Sequence, residues 1–265
     1  MNEFYLNDVV DSINRIFPLE LAEKWDNSGL QIANENQQIN KILITLDVDP
    51  QVVKYAVEKK INLIVSHHPI IFKPIDNIIG FKDEKSLLIS ELLKNNIAVL
   101  SIHTNADKVL FHKLADIFKL VNVEPLMKDI TDEAVGIGSI GELEEEITLS
   151  EFLGVIKERL GTKVLKYSGD SNRIIKKVAL CGGTCTSFIS PFLQEKAIDV
   201  FVTSDIKYHE AQRAVELGVA VIDAGHFYTE RVMLPEMKNI IEKEFNYNIS
   251  VEVVDFAKDI FDYYI

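Results

Sequence analysis

Five residues able to hold a metal stand out by their spacing and company: His67, His68, Asp107, His226 and Glu230. His67 and His68 follow the apolar run NLIVS and precede Pro69, which stiffens the turn. Neighbouring side chains diverge, so the pair can serve two ions, although two imidazoles in a loop can also simply bond its carbonyls. Asp107 ends HTNAD after the run IAVLSI. Alone, an aspartate there reads as the cap of a helix carrying Val109, Leu110 and Leu114. His226 and Glu230 are spaced i, i+4 and share a face if that segment is helical, while a glutamate in a first helical turn also suits the helix dipole. Three imidazoles and two carboxylates exceed what one closed structural site needs. A carboxylate bridging two divalent ions uses the set economically, and ions roughly 3.5–4 Å apart are a known hydrolytic device. Donors without thiolate suit Zn, Mn, Fe or Ni better than Cu(I).

Other polar residues form a second tier. His103 and Asp205 are placed to orient ligands or to hold a substrate, with Asn105 nearby in sequence. His209, within YHEAQRAVEL, reads equally well as a packed helix histidine. The Trp25-Asp26-Asn27-Ser28-Gly29-Leu30 turn either caps a loop or lies at a cleft. Cys181 and Cys185, in CGGTC, read as reduced structural thiols, because two cysteines without further Cys or a nearby His leave a zinc site incomplete. Gly182-Gly183 follows a strand as a phosphate loop would, yet the G-K-[ST] continuation is missing.

The elements that must carry these residues alternate. ILITLDV, NLIVS and IAVLSIH read as buried strands. Asp49 and Pro50 open an intervening helix with Val52, Val53, Ala56 and Val57 on one stripe, and a second helix spans about residues 86–95. The result is a βαβαβ unit with parallel strands and right-handed crossovers. After GIGSIGEL, a short strand, Thr148 and Glu151 form a capping box for a helix stopping near Gly161. IIKKVALCG, DVFVTSD and VAVIDAG then read as strands separated by helices around Phe192 and Tyr208. A last helix from about Tyr228 to Phe245 precedes the strand ISVEVV. The expected fold is α/β: two closely packed lobes with largely parallel sheets, residues 1–128 and 129–265. Ligands of such sheets bind beyond the carboxyl ends of strands, which is where the metal site is expected, in a cleft.

Bulk properties narrow the function. A net charge of −13, from 41 acidic and 28 basic residues with no basic run, disfavours nucleic acid. No apolar stretch is long enough for a bilayer, and the opening residues lack a signal-peptide pattern, so a cytoplasmic location is expected.

Taken in order, WDNSGLQ, LIVSHHPIIF, HTNAD, TSDIKYHEA and DAGHFYTE resemble motifs of the GTP cyclohydrolase 1 type 2 homologues, the Nif-three-like dinuclear metal centre proteins. The resemblance covers essentially the whole chain. It departs at FVTSD, where Gly often precedes the Asp, and at CGGTCTSF, where relatives read closer to CGGSG. It implies that His67, His68, Asp107, His226 and Glu230 are the metal ligands, with Glu230 bridging, and that the chain forms a ring-shaped homohexamer. The reaction it implies is hydrolytic opening of the purine imidazole ring of GTP at C8. Two functions are therefore expected to compete. One is a metal-dependent hydrolase of a nucleotide or small phosphorylated compound, and the other a non-enzymatic metal-binding hexameric assembly or adaptor.

Overall fold

The computed structural model describes residues 3–189, 193 and 196–264. The chain divides into two compact units, Met1–Ala106 with Leu234–Ala257, and Asp107–Met233 with Lys258–Ile265.

The first unit is built on a five-stranded sheet ordered β1-β4-β3-β2-β11, from β1 (Gly29–Ile32), β2 (Lys41–Thr45), β3 (Leu63–Ser66), β4 (Ala98–Ser101) and β11 (Ser250–Val253). β2, β3, β4 and β11 pair in parallel, and β1 runs antiparallel against β4. Every residue of β3 and β4 is buried, as expected where helices cover both faces of a parallel sheet. The crossovers are α2 (Pro50–Lys59) and α3 (Glu84–Lys94). Asp49 accepts from the Val52 amide at 2.8 Å and Asp83 from the Ser86 amide at 2.8 Å, which satisfies backbone donors at each helix start. α1 (Leu6–Ile16) buries Leu6, Val9, Val10 and Ile13 on one stripe.

The second unit carries a mixed six-stranded sheet ordered β5-β6-β8-β9-β10-β7. Its strands are β5 (Val121–Lys128), β6 (Gly136–Thr148), β7 (Lys166–Ser168), β8 (Ile174–Leu180), β9 (Val200–Thr203) and β10 (Ala220–Asp223). Alternate residues face two cores. Val200, Val202 and Ile222 pack with Phe118 and Phe152, whereas Phe201 and Val221 pack with Ile206 and Ala214. This unit also holds α5 (Lys113–Phe118), α6 (Leu149–Leu160), α7 (Tyr208–Glu216) and α8 (His226–Glu230); the division falls within α4 (Thr104–Val109), and α9 (Leu234–Glu244) belongs to the first unit. The Thr148–Glu151 capping box opens α6, and Gly161 closes it with φ at 68°.

Four expectations are corrected. The boundary expected at residue 128 gives way to a division at 106/107 with a return at 234, because β11 pairs with β2 and draws α9 back with it. The second sheet is mixed rather than largely parallel: β5, β6 and β7 each pair antiparallel with a neighbour. The single helix expected from Tyr228 to Phe245 is interrupted by a 3₁₀ turn at Arg231–Met233. Cys181 and Cys185 are joined as a disulfide rather than reduced, since the Gly-Gly turn brings their Cα atoms to 6.1 Å, within the span of such a bond. The helix expected around Phe192 falls outside the described residues. Among the described residues, no helix is long and apolar enough to cross a membrane.

Candidate metal centre

In the first unit, strand register assembles the histidines. Ser66 of β3 stands opposite Ser101 of β4, and their hydroxyls are 2.9 Å apart. The chain beyond each strand therefore emerges side by side, with His67 and His68 beyond β3 and His103 beyond β4. The His67 ring centroid lies 5.0 Å from that of His68 and 5.0 Å from that of His103. One ligand nitrogen from each of the three falls within 4.8 Å of the others.

Each of these rings is held by its Nδ1. His67, wholly buried, bonds the Ile102 carbonyl oxygen at 3.2 Å, and His68 bonds Asp47 at 2.9 Å. His103 bonds Asp26 at 2.8 Å. The Asp26 side chain is fully buried and also accepts from the Thr104 amide at 3.1 Å, the Thr104 hydroxyl at 2.6 Å and the Ser28 hydroxyl at 2.8 Å. Burial pushes this carboxyl up, but the bonds from His103 and Thr104 outweigh it and hold it well below the usual carboxylate range.

The second unit repeats the device. Thr203 of β9 stands opposite Asp223 of β10, so Asp205 and His226, just beyond those strands, emerge together. His226 Nδ1 bonds Asp205 at 2.7 Å, and its Nε2 lies 3.1 Å from Glu230. Thr184 donates to the same Asp205 carboxylate. Asp205 has φ at 55°, a left-handed conformation that aspartate tolerates better than most residues. Burial pulls the His226 pKa down, but Glu230 and then Asp205 more than offset it and raise the imidazole to about 9. Burial raises the Asp205 pKa, while the bonds from His226 and Thr184 bring it below the ordinary value.

Four imidazoles are thus tied through Nδ1 to a carboxylate or a carbonyl. Those partners accept hydrogen bonds, so each Nδ1 carries a proton; in a neutral ring Nε2 is then the lone-pair nitrogen, and His226, whose Nε2 faces Glu230, would have to give up its second proton to present one. A metal-ligating histidine behaves this way, with a second acceptor fixing its tautomer and orientation. Glu230, 4% exposed, adds a buried carboxylate beside His226. The residues present fit a divalent cation.

The expected residues are placed as follows. His67, His68 and His103 gather in one unit, and Asp205, His226 and Glu230 in the other. Asp107 lies inside α4, four residues beyond His103, and does not cap that helix. Glu230 closes α8 instead of opening a helix. His209 is exposed and approaches Gln212 at 3.3 Å, as a solvent-facing helix residue does. Asn105 is buried and donates to the Phe17 carbonyl at 2.8 Å. Sequence reasoning missed Asp26 and Asp47 as partners of His103 and His68. Asp47 carried a signal, since it follows a buried strand as the histidines do.

The chain is similar to known proteins over nearly its whole length. A Clostridium perfringens protein named GTP cyclohydrolase 1 type 2 homolog is 34% identical, over 97% of this chain and 99% of its own. A Helicobacter pylori protein named GTP cyclohydrolase 1 type 2 is 33% identical, over 93% of this chain and 95% of its own. The crystal structure of a Bacillus cereus protein related to NIF3 superposes with a TM-score of 0.94 over all of both chains at 23% identity, which shows the fold. Residues 4–259 match the family described as Duf34/NIF3 (NGG1p interacting factor 3), and the chain belongs to that family.

Proposed function

We propose that this protein is a metal-dependent hydrolase that holds two divalent ions with His67, His68, Asp107, His226 and Glu230, Glu230 bridging, and acts on a nucleotide or small phosphorylated compound. The observation that carries this reading is the set of imidazoles held at Nδ1 beyond the carboxyl ends of parallel strands. A closed structural site has no use for so many fixed donors with a surplus carboxylate. When bound, the ions would supply Lewis acidity and ease deprotonation of a nucleophilic water.

The chain's own residues do the rest. Asp26, Asp47 and Asp205 hold the imidazoles at Nδ1 and so fix their orientation, and Glu230 contributes negative charge from a buried position. The names of the Clostridium perfringens and Helicobacter pylori relatives favour a purine nucleotide and ring opening as the chemistry. The protein is proposed to act in the cytoplasm as a homohexamer. The competing reading, a metal-binding hexamer serving as an adaptor, is favoured by the interaction in the family's description.

Glu230→Gln separates them. The neutral amide is a poorer bridging ligand, so at matched metal loading turnover of GTP or of a wider phosphoester panel should fall by at least about a hundredfold, with the fold retained. Equal rates would remove the hydrolase assignment from this site. Absence of turnover by the unsubstituted protein on every compound would leave the adaptor reading.

A further inference from the structure

Two exposed aromatic rings stand beside the histidine group. Trp25 is 60% exposed and Phe72 45%. Their centroids are 6.1 Å apart with planes tilted by 58°, an open V instead of a closed stack. The Trp25 centroid is also 5.9 Å from that of His103, which in turn lies 5.0 Å from His67 and 5.5 Å from His68.

The two rings come from loops that also serve the histidines. Trp25 directly precedes Asp26, the carboxylate that holds His103. Phe72 ends the segment that leaves His68 through Pro69. Asn27 donates to the Ile71 carbonyl at 2.5 Å, and Gln31 Oε1 accepts from the Ile71 amide at 2.8 Å. The rings are therefore fixed to each other through their backbones and to the histidine group through Asp26. Leaving a tryptophan and a phenylalanine in water costs hydrophobic free energy, and a single pair built this way beside metal-binding donors marks a ligand surface.

We propose that Trp25 and Phe72 form a stacking platform for the planar heteroaromatic ring of the substrate, a purine base, beside the His67–His68–His103 group. The inference rests on the hydrolase reading and adds the residues that would recognise the base. Aromatic side chains stack on nucleobases regardless of hydrogen-bonding pattern, so the platform supplies affinity and position. In a net acidic chain, it also provides a way to bind an anionic nucleotide through its uncharged end.

Trp25 is the only tryptophan in the sequence, so its fluorescence reports on the platform directly. Zinc-loaded protein is titrated with GTP, guanosine, ribose 5-phosphate and tripolyphosphate, following Trp25 emission, with calorimetry in parallel. Guanosine and GTP should quench the emission, and ribose 5-phosphate and tripolyphosphate should not. Phe72→Leu should weaken the two base-bearing compounds by roughly ten- to a hundredfold while leaving tripolyphosphate affinity unchanged. Trp25→Leu, followed by calorimetry, should do the same with zinc content retained. The proposal is overturned if base-bearing compounds bind with Trp25 emission unchanged, if neither variant weakens them, or if none binds. It is also overturned if emission responds only to protein concentration, which would make the pair a contact between copies of the chain. Quenching without turnover would uphold the platform and count against the hydrolase reading. Turnover with Trp25 silent would do the reverse.

Discussion

Asp26 accepts a 2.8 Å hydrogen bond from His103 Nδ1 although 77 residues separate them, and the carboxylate is fully buried while doing so. This pair makes the tautomer of His103 a property of the fold. Asp26→Asn would replace one acceptor oxygen with an amide that donates, facing the Thr104 amide and hydroxyl and the Ser28 hydroxyl. An unmade buried hydrogen bond costs about 1–3 kcal/mol, and a His103 ring no longer fixed, 5.0 Å from His67 and 5.5 Å from His68, would loosen two of the proposed ligands and weaken affinity about ten- to a hundredfold. Thermal unfolding and zinc titration of Asp26→Asn should show both losses. Metal affinity equal to that of the unsubstituted chain would mean that His103 needs no such support.

The strand ends that deliver these residues were legible in the sequence, and the partners that orient them were not. NLIVS and IAVLSI announce buried parallel strands because they are apolar throughout, and their ends carry His67, His68 and His103. Asp26 lies in a turn with no periodicity, and nothing local connects it to a residue so far along the chain. The same limit applies to β11, whose apolar pattern identifies a strand but not its partner β2, some two hundred residues earlier. β6 was underestimated because its exposed stretch of glutamates, Glu144 to Glu146, breaks the apolar alternation. The disulfide was missed because composition suggests a redox compartment and is silent on a Gly-Gly turn.

With His226 among the proposed ligands, its raised pKa gives metal binding an expected pH dependence. At about 9 in the metal-free protein, the imidazole is protonated at neutral pH and a metal must displace that proton. Apparent affinity should therefore rise about tenfold per pH unit from pH 7 towards about 9 for this proton alone, then level off. In the metal-free protein the sign is opposite. The stabilisation from the His226 contacts with Glu230 and Asp205 is fully present below the ordinary histidine pKa and is lost as pH rises through about 9. Zinc titrations at pH 7.0, 7.5, 8.0 and 8.5 read the slope. A flat profile over that range would contradict the assignment.

Gly183 leaves room for the Glu230 carboxylate. A Cβ there would collide with Glu230 Oε1 and come within 3.3 Å of His226 Nε2, on a backbone with φ at 62°. Gly218 is also left-handed, with φ at 75°, but a Cβ would meet nothing within 4 Å. Gly218→Ala should therefore cost only the backbone strain, about 1–2 kcal/mol, and keep metal affinity, whereas Gly183→Ala should lose both. Calorimetric melting and zinc titration of the two variants make the comparison. Full metal affinity in Gly183→Ala would show that the Glu230 position is not critical.

Native mass spectrometry of the metal-saturated protein counts the ions that each chain holds. Three imidazoles and two carboxylates provide more donors than one tetrahedral ion takes, which sets the expected stoichiometry. A six-chain assembly carrying two divalent ions per chain is expected, with His68→Ala losing at least one of them. One ion per chain or none after saturation would contradict it.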